Sequence, residues 1–374
     1  MSFVEELRLP DLVRPFIRKI ASYEGPPIHI MEVCGTHTVA IFRHGLKGLL
    51  PPAVKLLSGP GCPVCVTPNE VIDRAIALAA VPGHILVTFG DMMKVPGSYS
   101  SLAQAKAEGA DVRVVYSPLE SIQLARENRS KIVIFFGVGF ETTAPTTAAC
   151  LVEARSASLR NYFFLSAHKL VPPAIGALLT SGDVHVDGLI CPGHVSAIIG
   201  SKPYEFIARD HGIGCVVTGF EPVDILQALS LLVEMRTSGR PSVVIGYRRA
   251  VRPEGNVKAQ ELMRTVFSVG SSVWRGIGEI PGTGLSLSDE YEGFCATRHL
   301  DVKLRPVREA AGCSCGEILR GVKSPPECRL FGTACTPEYP VGPCMVSTEG
   351  TCAAWYRYSP STGAGSGGSS ERGA

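Results

Sequence analysis

The chain has 374 residues, which suits two or three domains and allows a sizeable hydrophobic core without disulfide cross-links. Lys and Arg number 36 against 34 for Asp and Glu, only 19% of residues are charged and no basic run occurs, so nucleic-acid binding is not expected. No run of about 18 uncharged apolar residues occurs either, so a membrane-spanning helix is not expected.

The first segment, MSFVEELRLPDLVRPF, carries acidic residues and Pro10 and lacks a continuous apolar core. It therefore predicts neither a signal peptide nor a membrane anchor. We expect a cytoplasmic protein, and hence a reducing compartment in which cysteines more often bind metal or carry out redox chemistry than form structural cross-links. The thirteen cysteines of the chain thus direct attention to metal and redox functions.

A repeated pattern runs through the first 235 residues. Short runs rich in Val, Ile, Leu and Phe each end in a turn and are followed by a helical stretch, which predicts parallel sheets covered on both faces. We predict an α/β fold of eight βα units in two sets of four, forming two similar domains at residues 1–125 and 126–235. The eight segments are PIHIMEVCGTHT, VKLLSGPGCPVC, HILVTFGDMM, VRVVYSPL, KIVIFFGVGFETTAP, NYFFLSAHK, VDGLICPGHVS and GIGCVVTGFEP.

Cysteines follow the first two predicted strands, at Cys34 in EVCGTHT and Cys62 in SGPGCPVC. Ligands collect at the carboxyl ends of parallel strands, and the start of the following helix is expected to lower the pKa of a thiol placed there. Cys34 is then either a buried residue that closes a strand or a thiolate metal ligand with His37 as its neighbour. The Cys62-x-x-Cys65 motif allows a redox dithiol, a shared metal site or a structural turn, and the absence of a second C-x-x-C favours the dithiol.

Other polar residues also follow predicted strands. The Gly-Phe-Glu triplets that end at Glu141 and Glu221 lack a complete dinucleotide-binding fingerprint, so we do not infer NAD. Both glutamates are interpreted first as solvated helix caps. His168 and His194 are equally compatible with a structural hydrogen bond and with an active role.

The composition changes in the carboxyl-terminal third, where the βα rhythm fades from about residue 236. Six cysteines in turns then fall within 40 residues, which predicts a metal or iron–sulfur site, with zinc as the alternative. Residues 359–374 are rich in Gly and Ser and predict a flexible tail. The six cysteines are Cys313, Cys315, Cys328, Cys335, Cys344 and Cys352.

The motifs EVCGTHT, SGPGCPVC and FETTAP, the cysteine-rich segment and its ending VGPCMVSTEGTCAAWY together resemble the HypD family of nickel–iron hydrogenase maturation factors. The resemblance extends from about residue 10 to residue 358. It implies two α/β domains of similar topology and a third, at residues 236–358, that carries a [4Fe-4S] cluster.

The family's cluster pattern, C-x14-C-x6-C-x16-C, is met here by four cysteines. By resemblance these are the cluster ligands, and Cys315 and Cys344 are left over as alternatives, with Cys344 in place of Cys352 as the next choice. The four are Cys313, Cys328, Cys335 and Cys352.

The resemblance further implies assembly of an iron unit that carries two cyanides and one carbon monoxide. The small chaperone HypC would share the iron and HypE would deliver cyanide. Cys34 would bind the iron with His37 beside it, and Cys62 and Cys65 would be the redox pair in a relay with the cluster. The chain would then be a scaffold with a redox-active dithiol rather than a turnover enzyme.

Three carboxylates are weaker candidates for the same cleft, because they lie at strand ends or beside cysteines: Asp91, Glu141 and Glu349. Two other functions remain as alternatives. One is an iron–sulfur thiol–disulfide oxidoreductase that acts on another protein, and the other is a structural zinc protein.

Overall fold

The computed structural model describes residues 10–359, and its parallel strands form two sheets flanked by helices. The strands are β1 (Ile28–Glu32), β2 (Val54–Ser58), β3 (His84–Thr88), β4 (Val112–Val114), β5 (Ile132–Gly139), β6 (Tyr162–His168), β7 (Gly188–Pro192), β8 (Gly214–Thr218), β9 (Val243–Ile245), β10 (Phe267–Trp274) and β11 (Gly278–Leu287). The predicted α/β class and all eight predicted strands, now β1 to β8, are confirmed.

Helices connect the strands and cover both faces of the sheets. They are α1 (Pro10–Ala21), α2 (Gly35–Arg43), α3 (Pro63–Val66), α4 (Asn69–Ala79), α5 (Leu102–Ala107), α6 (Pro118–Glu127), α7 (Ala144–Ser156), α8 (Val171–Ser181), α9 (Gly193–Ile199), α10 (Glu205–His211), α11 (Pro222–Ser238), α12 (Val257–Val266), α13 (Ala296–His299), α14 (Cys315–Leu319), α15 (Pro343–Val346) and α16 (Thr351–Tyr358). Among the helices of residues 10–359, none combines the length and the apolar character that a membrane crossing needs.

The structure corrects the predicted grouping of the strands. The first sheet has the order β2-β1-β7-β8-β9 and the second the order β4-β3-β5-β6, with all neighbours parallel. The first sheet therefore combines residues 28–58 with residues 188–245, and residues 84–168 between them form the second. Strand membership does not follow the predicted boundary between residues 125 and 126, because an apolar run reveals that a strand is buried but not which strand lies beside it.

The junction of the two distant chain segments lies in the middle of the first sheet. Ile30 and Glu32 of β1 pair with Gly188 and Ile190 of β7. On one face of this sheet α1 packs against α11, and Ile20 of α1 is completely buried there. The sheet is thus held both by backbone pairing and by apolar burial between segments more than a hundred residues apart.

Two elements after residue 235 were not predicted. β9 has only three residues, and β10 and β11 form an antiparallel hairpin. The hairpin is fastened to the second sheet by Lys169, which is 2% exposed and donates from Nζ to Ser272 Oγ and to the Val273 carbonyl, each at 2.6 Å. Burial lowers the pKa of Lys169 to about 7.

The cysteine-rich segment that follows is largely irregular, with short helices. Its last two helices return to the first sheet, where α16 packs on α2 and α15 packs on α3. Except for Ser359, the predicted tail at residues 359–374 lies outside the described residues.

Candidate functional site

Cys34 lies where β1 ends and α2 begins. Its backbone is extended, with φ −153°, and its carbonyl accepts hydrogen bonds from the N–H groups of His37 at 3.0 Å and Thr38 at 3.2 Å. This residue is therefore the N-cap of α2, as the EVCGTHT pattern predicts. Its side chain is 9% exposed.

The loop that carries the C-x-x-C motif lies directly on Cys34. The Gly35 N–H donates to the Gly61 carbonyl at 3.1 Å. A Cβ atom at position 61 would lie 2.3 Å from the Cys34 nitrogen and 2.4 Å from its Cα, closer than real contacts allow. Only glycine at this position permits such an approach of the two chain segments.

Cys62 and Cys65 are joined by a disulfide, with their Cα atoms 5.2 Å apart. Both residues are buried, and the Cys65 N–H donates to Cys62 Sγ at 3.1 Å at the start of α3. A disulfide is one of the two states of a redox dithiol, and it also suits a structural cross-link.

His37 of α2 is completely buried against the end of β8, which is two strands away from β1 in the first sheet. Its Nε2–H donates to the Gly219 carbonyl at 2.9 Å, and its ring stacks on Phe220 with the centroids 4.7 Å apart. Burial lowers the pKa of His37 to about 4. The ring is therefore neutral at physiological pH, and its buried Nδ1 has a lone pair without a hydrogen-bond partner among residues 10–359.

Glu349 of the cysteine-rich segment closes the other side of this site. Thr36 Oγ1 donates to Glu349 Oε1 at 2.6 Å, and Gly35 packs against the Glu349 backbone. Partial burial lowers the pKa of the exposed His194, and the nearby Glu349 charge offsets part of this shift. The structure thus brings Glu349 to the Cys34 helix.

The pKa of the Cys34 thiol differs from the sequence-based expectation. Burial, together with the nearby Glu349 charge, raises its pKa to about 11, whereas the helix start was expected to lower it. The favourable backbone N–H groups are outweighed because the sulfur has lost its contact with water. Cys34 is a neutral thiol at pH 7, and a metal cation would have to displace its proton.

Glu32, two residues before Cys34, is a buried carboxyl group that the sequence analysis missed. It accepts hydrogen bonds from Ser58 Oγ at 2.7 Å and Thr38 Oγ1 at 3.3 Å. Burial raises its pKa to about 7, and its Oε2 has no partner within the described range. A glutamate at the last position of a largely apolar strand was the available signal.

Five of the six clustered cysteines line one small apolar cavity. Cys335 Sγ accepts a hydrogen bond from the Val341 N–H at 3.3 Å. Hydrogen bonds with Cys315, and then the Arg275 charge, lower the pKa of Cys313 to about 6. Five sulfurs around one cavity give the donor set that an iron–sulfur cluster or a zinc ion requires. The five are Cys313, Cys315, Cys328, Cys335 and Cys352.

The sixth cysteine, Cys344, does not line this cavity. It is completely buried, and its thiol contacts those of Cys315 and Cys352. It lies in α15 beside the disulfide, where Cys65 Sγ is 3.9 Å from the Pro343 carbonyl oxygen. Cys344 is therefore placed between the cavity and the Cys62–Cys65 pair.

The remaining candidates lie at the second sheet. Asp91 follows β3, is exposed, and accepts a bond from Ser347 Oγ at 3.4 Å, so it reaches the cysteine-rich segment. Glu141 follows β5, is 2% exposed, and accepts the Val171 N–H at 2.9 Å, while burial raises its pKa to about 7. It is a buried carboxyl group and not the solvated cap of the first interpretation.

Comparison with known proteins gives a consistent result. Residues 11–359 match the family described as "HypD: Hydrogenase formation hypA family". The chain is 45% identical over 366 residues to the "Hydrogenase maturation factor HypD" of Escherichia coli (strain K12), covering 96% of this chain and 98% of that protein. It is 46% identical over 367 residues to the "Hydrogenase expression/formation protein HupD" of Azotobacter chroococcum mcd 1, covering 96% and 97%. It is 45% identical over 367 residues to the "Hydrogenase maturation factor HypD" of Azotobacter vinelandii, again covering 96% and 97%.

Proposed function

Because the chain belongs to the HypD family of hydrogenase maturation factors, we propose that it is a scaffold on which an iron ion, held by Cys34, receives cyanide and carbon monoxide. The observation that carries this proposal is that three groups of cysteine residues lie close together. Cys34, the Cys62–Cys65 pair and the clustered cysteines come from three separate chain segments and are joined by direct packing.

The surroundings of Cys34 suit a shielded iron ion as cargo. A soft thiolate is a good ligand for iron, and burial keeps competing water away from a bound ion. His37 contributes a neutral ring whose Nδ1 is open, and Glu349 is fixed by Thr36 at the same helix. Loading must release the Cys34 proton, since burial keeps the thiol protonated at neutral pH.

The Cys62–Cys65 pair is proposed as the redox-active dithiol. Reduction of its disulfide consumes two electrons and two protons and yields two thiols. The Pro-Val segment between the two sulfurs is held in α3, so the pair stays in place in either state. Its position on Cys34 lets the dithiol act directly at the iron-binding residue.

Four cysteines of the cavity would hold a [4Fe-4S] cluster, which supplies electrons one at a time when bound. Because Cys315 lines the cavity and Cys344 does not, the geometry supports Cys315 rather than Cys344 as the alternative ligand. The proposed ligands are Cys313, Cys328, Cys335 and Cys352.

We propose HypC and HypE as partners on the basis of the family resemblance, with HypC sharing the iron and HypE delivering cyanide. A reducing cytoplasm is the proposed location. That compartment suits a chain with eleven free cysteines, nine of them buried outside any disulfide and available as thiols.

The test compares Cys34→Ala with Cys150→Ala, which removes a buried apolar cysteine of α7. Each variant is purified anaerobically in complex with HypC, and the infrared bands of iron-bound cyanide and carbon monoxide are recorded. We expect the bands to vanish for Cys34→Ala and to persist for Cys150→Ala. Bands of full intensity from the Cys34 variant would rule out this residue as the iron ligand.

The second test concerns the cavity cysteines and the dithiol separately. We expect about four irons and four acid-labile sulfides per chain, and loss of both in Cys328→Ser. The Cys62→Ser, Cys65→Ser double variant should keep this iron and sulfide but fail to support hydrogenase maturation. Zinc without sulfide after anaerobic reconstitution would instead indicate a structural zinc protein.

A further inference from the structure

Three side chains of the types that bind metal ions lie where β1 and β7 begin, at the end of the first sheet opposite to Cys34. His29 is near the amino end of β1, and His185 and Asp187 precede β7. Because β1 and β7 are parallel neighbours, these residues meet where both strands begin. The group is independent of the thiol sites and of the function proposed for them.

The distances in this group match those between the ligands of one metal ion. One potential ligand atom from each residue lies within 4.8 Å of the other two. His29 Nδ1 is 3.5 Å from Asp187 Oδ2, and His185 Nε2 is 3.0 Å from Asp187 Oδ1. Ligands at about 2.0–2.1 Å from a tetrahedral ion lie roughly 3.3 Å apart, so these separations, which end on the two oxygens of one carboxylate, are of the size that a shared ion needs.

Two of the three side chains are already fixed. The Asp187 side chain is 3% exposed, its Oδ2 accepts the backbone N–H of His29 at 2.8 Å, and its own N–H donates to the His29 carbonyl at 2.8 Å. His29 Nδ1 is buried and lacks a hydrogen-bond partner among the described residues. A buried nitrogen without a partner, beside a buried carboxylate, is the observation that points to a missing cation.

We propose that His29, His185 and Asp187 bind a divalent transition-metal ion of the Zn²⁺ type. Two imidazoles and one carboxylate favour such ions over Ca²⁺ and Mg²⁺, which prefer oxygen ligands. The His185 side chain is 73% exposed, so the site opens to solvent and a water molecule can complete the coordination.

Other charged and titratable groups face the same carboxylate. Arg236 Nη2 of α11 lies 3.5 Å from Asp187 Oδ1, and His211 lines the adjoining surface cavity. The ion would compete with Arg236 for this oxygen.

The ion would join the two distant parts of the first sheet. His29 belongs to the early segment of that sheet, whereas His185 and Asp187 lie where the chain returns from the second sheet. Coordination would clamp β1 to β7 at the end opposite Cys34. Metal binding would thus stabilise the pairing of β1 with β7. It would not take part in chemistry at the thiols.

The experiment uses the full chain, purified anaerobically, with Co²⁺ and Zn²⁺ as probes. His185→Ala removes an exposed ligand, and His299→Ala removes an exposed histidine elsewhere as the matched control. We expect equilibrium dialysis to show one Co²⁺ fewer per chain for His185→Ala than for the parent and His299→Ala. The cobalt absorption that is lost should lack sulfur-to-metal charge-transfer bands, since its ligands are nitrogen and oxygen.

A second readout separates metal binding from folding. Without added metal, the two variants should unfold at the same temperature as the parent, and Zn²⁺ should raise the Tm of His299→Ala more than that of His185→Ala. Equal Co²⁺ stoichiometry in all three proteins would overturn the site. So would a lost cobalt spectrum with sulfur-to-metal bands, because it would assign the affected ion to cysteines.

Discussion

At the scale of single residues, burial sets the charge of several groups near the strand ends. It raises the pKa of Glu32 and Glu141 to about 7 and lowers the pKa of His37 to about 4 and of His168 to about 3. The two histidines are therefore neutral at pH 7, and the two glutamates are about half protonated there. The two glutamates and the two histidines affect stability in opposite directions as the pH changes.

For the glutamates, the folded state binds protons more tightly than the unfolded state. The stability that they contribute is complete below the unfolded pKa near 4.5 and is lost as the pH rises through about 7. For the histidines, the unfolded state binds protons more tightly. Their burial costs nothing above the unfolded pKa near 6.5 and costs stability progressively as the pH falls towards 4 and 3.

Glu141→Gln tests this linkage, because a glutamine oxygen can still accept the Val171 N–H while the titrating group is removed. We expect the variant to gain stability over the parent as the pH rises from 4.5 to 7, reaching about 1–3 kcal/mol at neutral pH. Urea unfolding at several pH values measures it. Glu127→Gln on the exposed side of α6 is the control, and a pH-independent difference for Glu141→Gln would contradict the prediction.

The residues of the site could be predicted only in part. Cys34, His37, Cys62 and Cys65 could be proposed from the sequence because the motifs at strand ends are local patterns. The meeting of Glu349 with Thr36 was not predictable, since more than three hundred residues separate them and nothing local signals the contact. The raised pKa of Cys34 also depends on burial, which no motif displays.

At the scale of elements, strand identity was predictable and strand partnership was not. Each of β1 to β8 is rich in apolar residues, with isolated polar positions such as Lys55 in β2 and Arg113 in β4, and such runs are typical of strands covered on both faces. β9 is too short to show a pattern, and the β10–β11 hairpin leaves much of its surface exposed, so it carries a weaker apolar signal. Sheet order depends on contacts between distant segments.

Helix α16 packs against α2, and Trp355 contributes aromatic and cation–π contacts to this packing. The Trp355 ring lies 4.8 Å from that of Phe42 in α2, and Lys47 Nζ lies 4.0 Å from the Trp355 ring centroid. These aromatic and cation–π contacts together stabilise the docked helix by about 1–2 kcal/mol. The neighbouring Tyr356 is 37% exposed and contacts Phe331 instead.

Trp355→Ala should therefore weaken the cover over Cys34. We expect alkylation of Cys34 by iodoacetamide to become roughly 5–30-fold faster, because local opening becomes easier by the energy of the lost contacts. Mass spectrometry of the Cys34 peptide over time gives the rate. Tyr356→Ala is the matched control, and equal labelling rates in the two variants would show that α16 does not guard the thiol.

At the scale of the whole molecule, the first sheet is built from two parts of the chain, with the second sheet inserted between them. β1 and β7 pair across this insertion, and α1 packs on α11 across it as well. The exposed segment at residues 182–185 is the return path from the second sheet to the first. A break in this segment leaves the pairing of the first sheet untouched.

A protease site inserted between Asp183 and Val184 tests the interleaved arrangement. After cleavage we expect both pieces to elute together in size-exclusion chromatography and to separate only in denaturant, because β1 and β7 still pair and the apolar cores still hold. Separation under native conditions would therefore contradict the observed strand order. An uncut sample of the same protein is the control.

The interleaved sheet also has a consequence for protein synthesis. About 150 residues separate the end of β1 from the start of β7, and ribosomes add about 5–20 residues per second, so β1 waits roughly 8–30 seconds for its neighbour. During that interval one edge of β1 has no strand beside it, and Cys34 at its end lacks the cover of α16, which is translated later than β7. We expect the nascent chain to expose this thiol until α16 has been made, so Cys34 becomes secluded only after that helix docks.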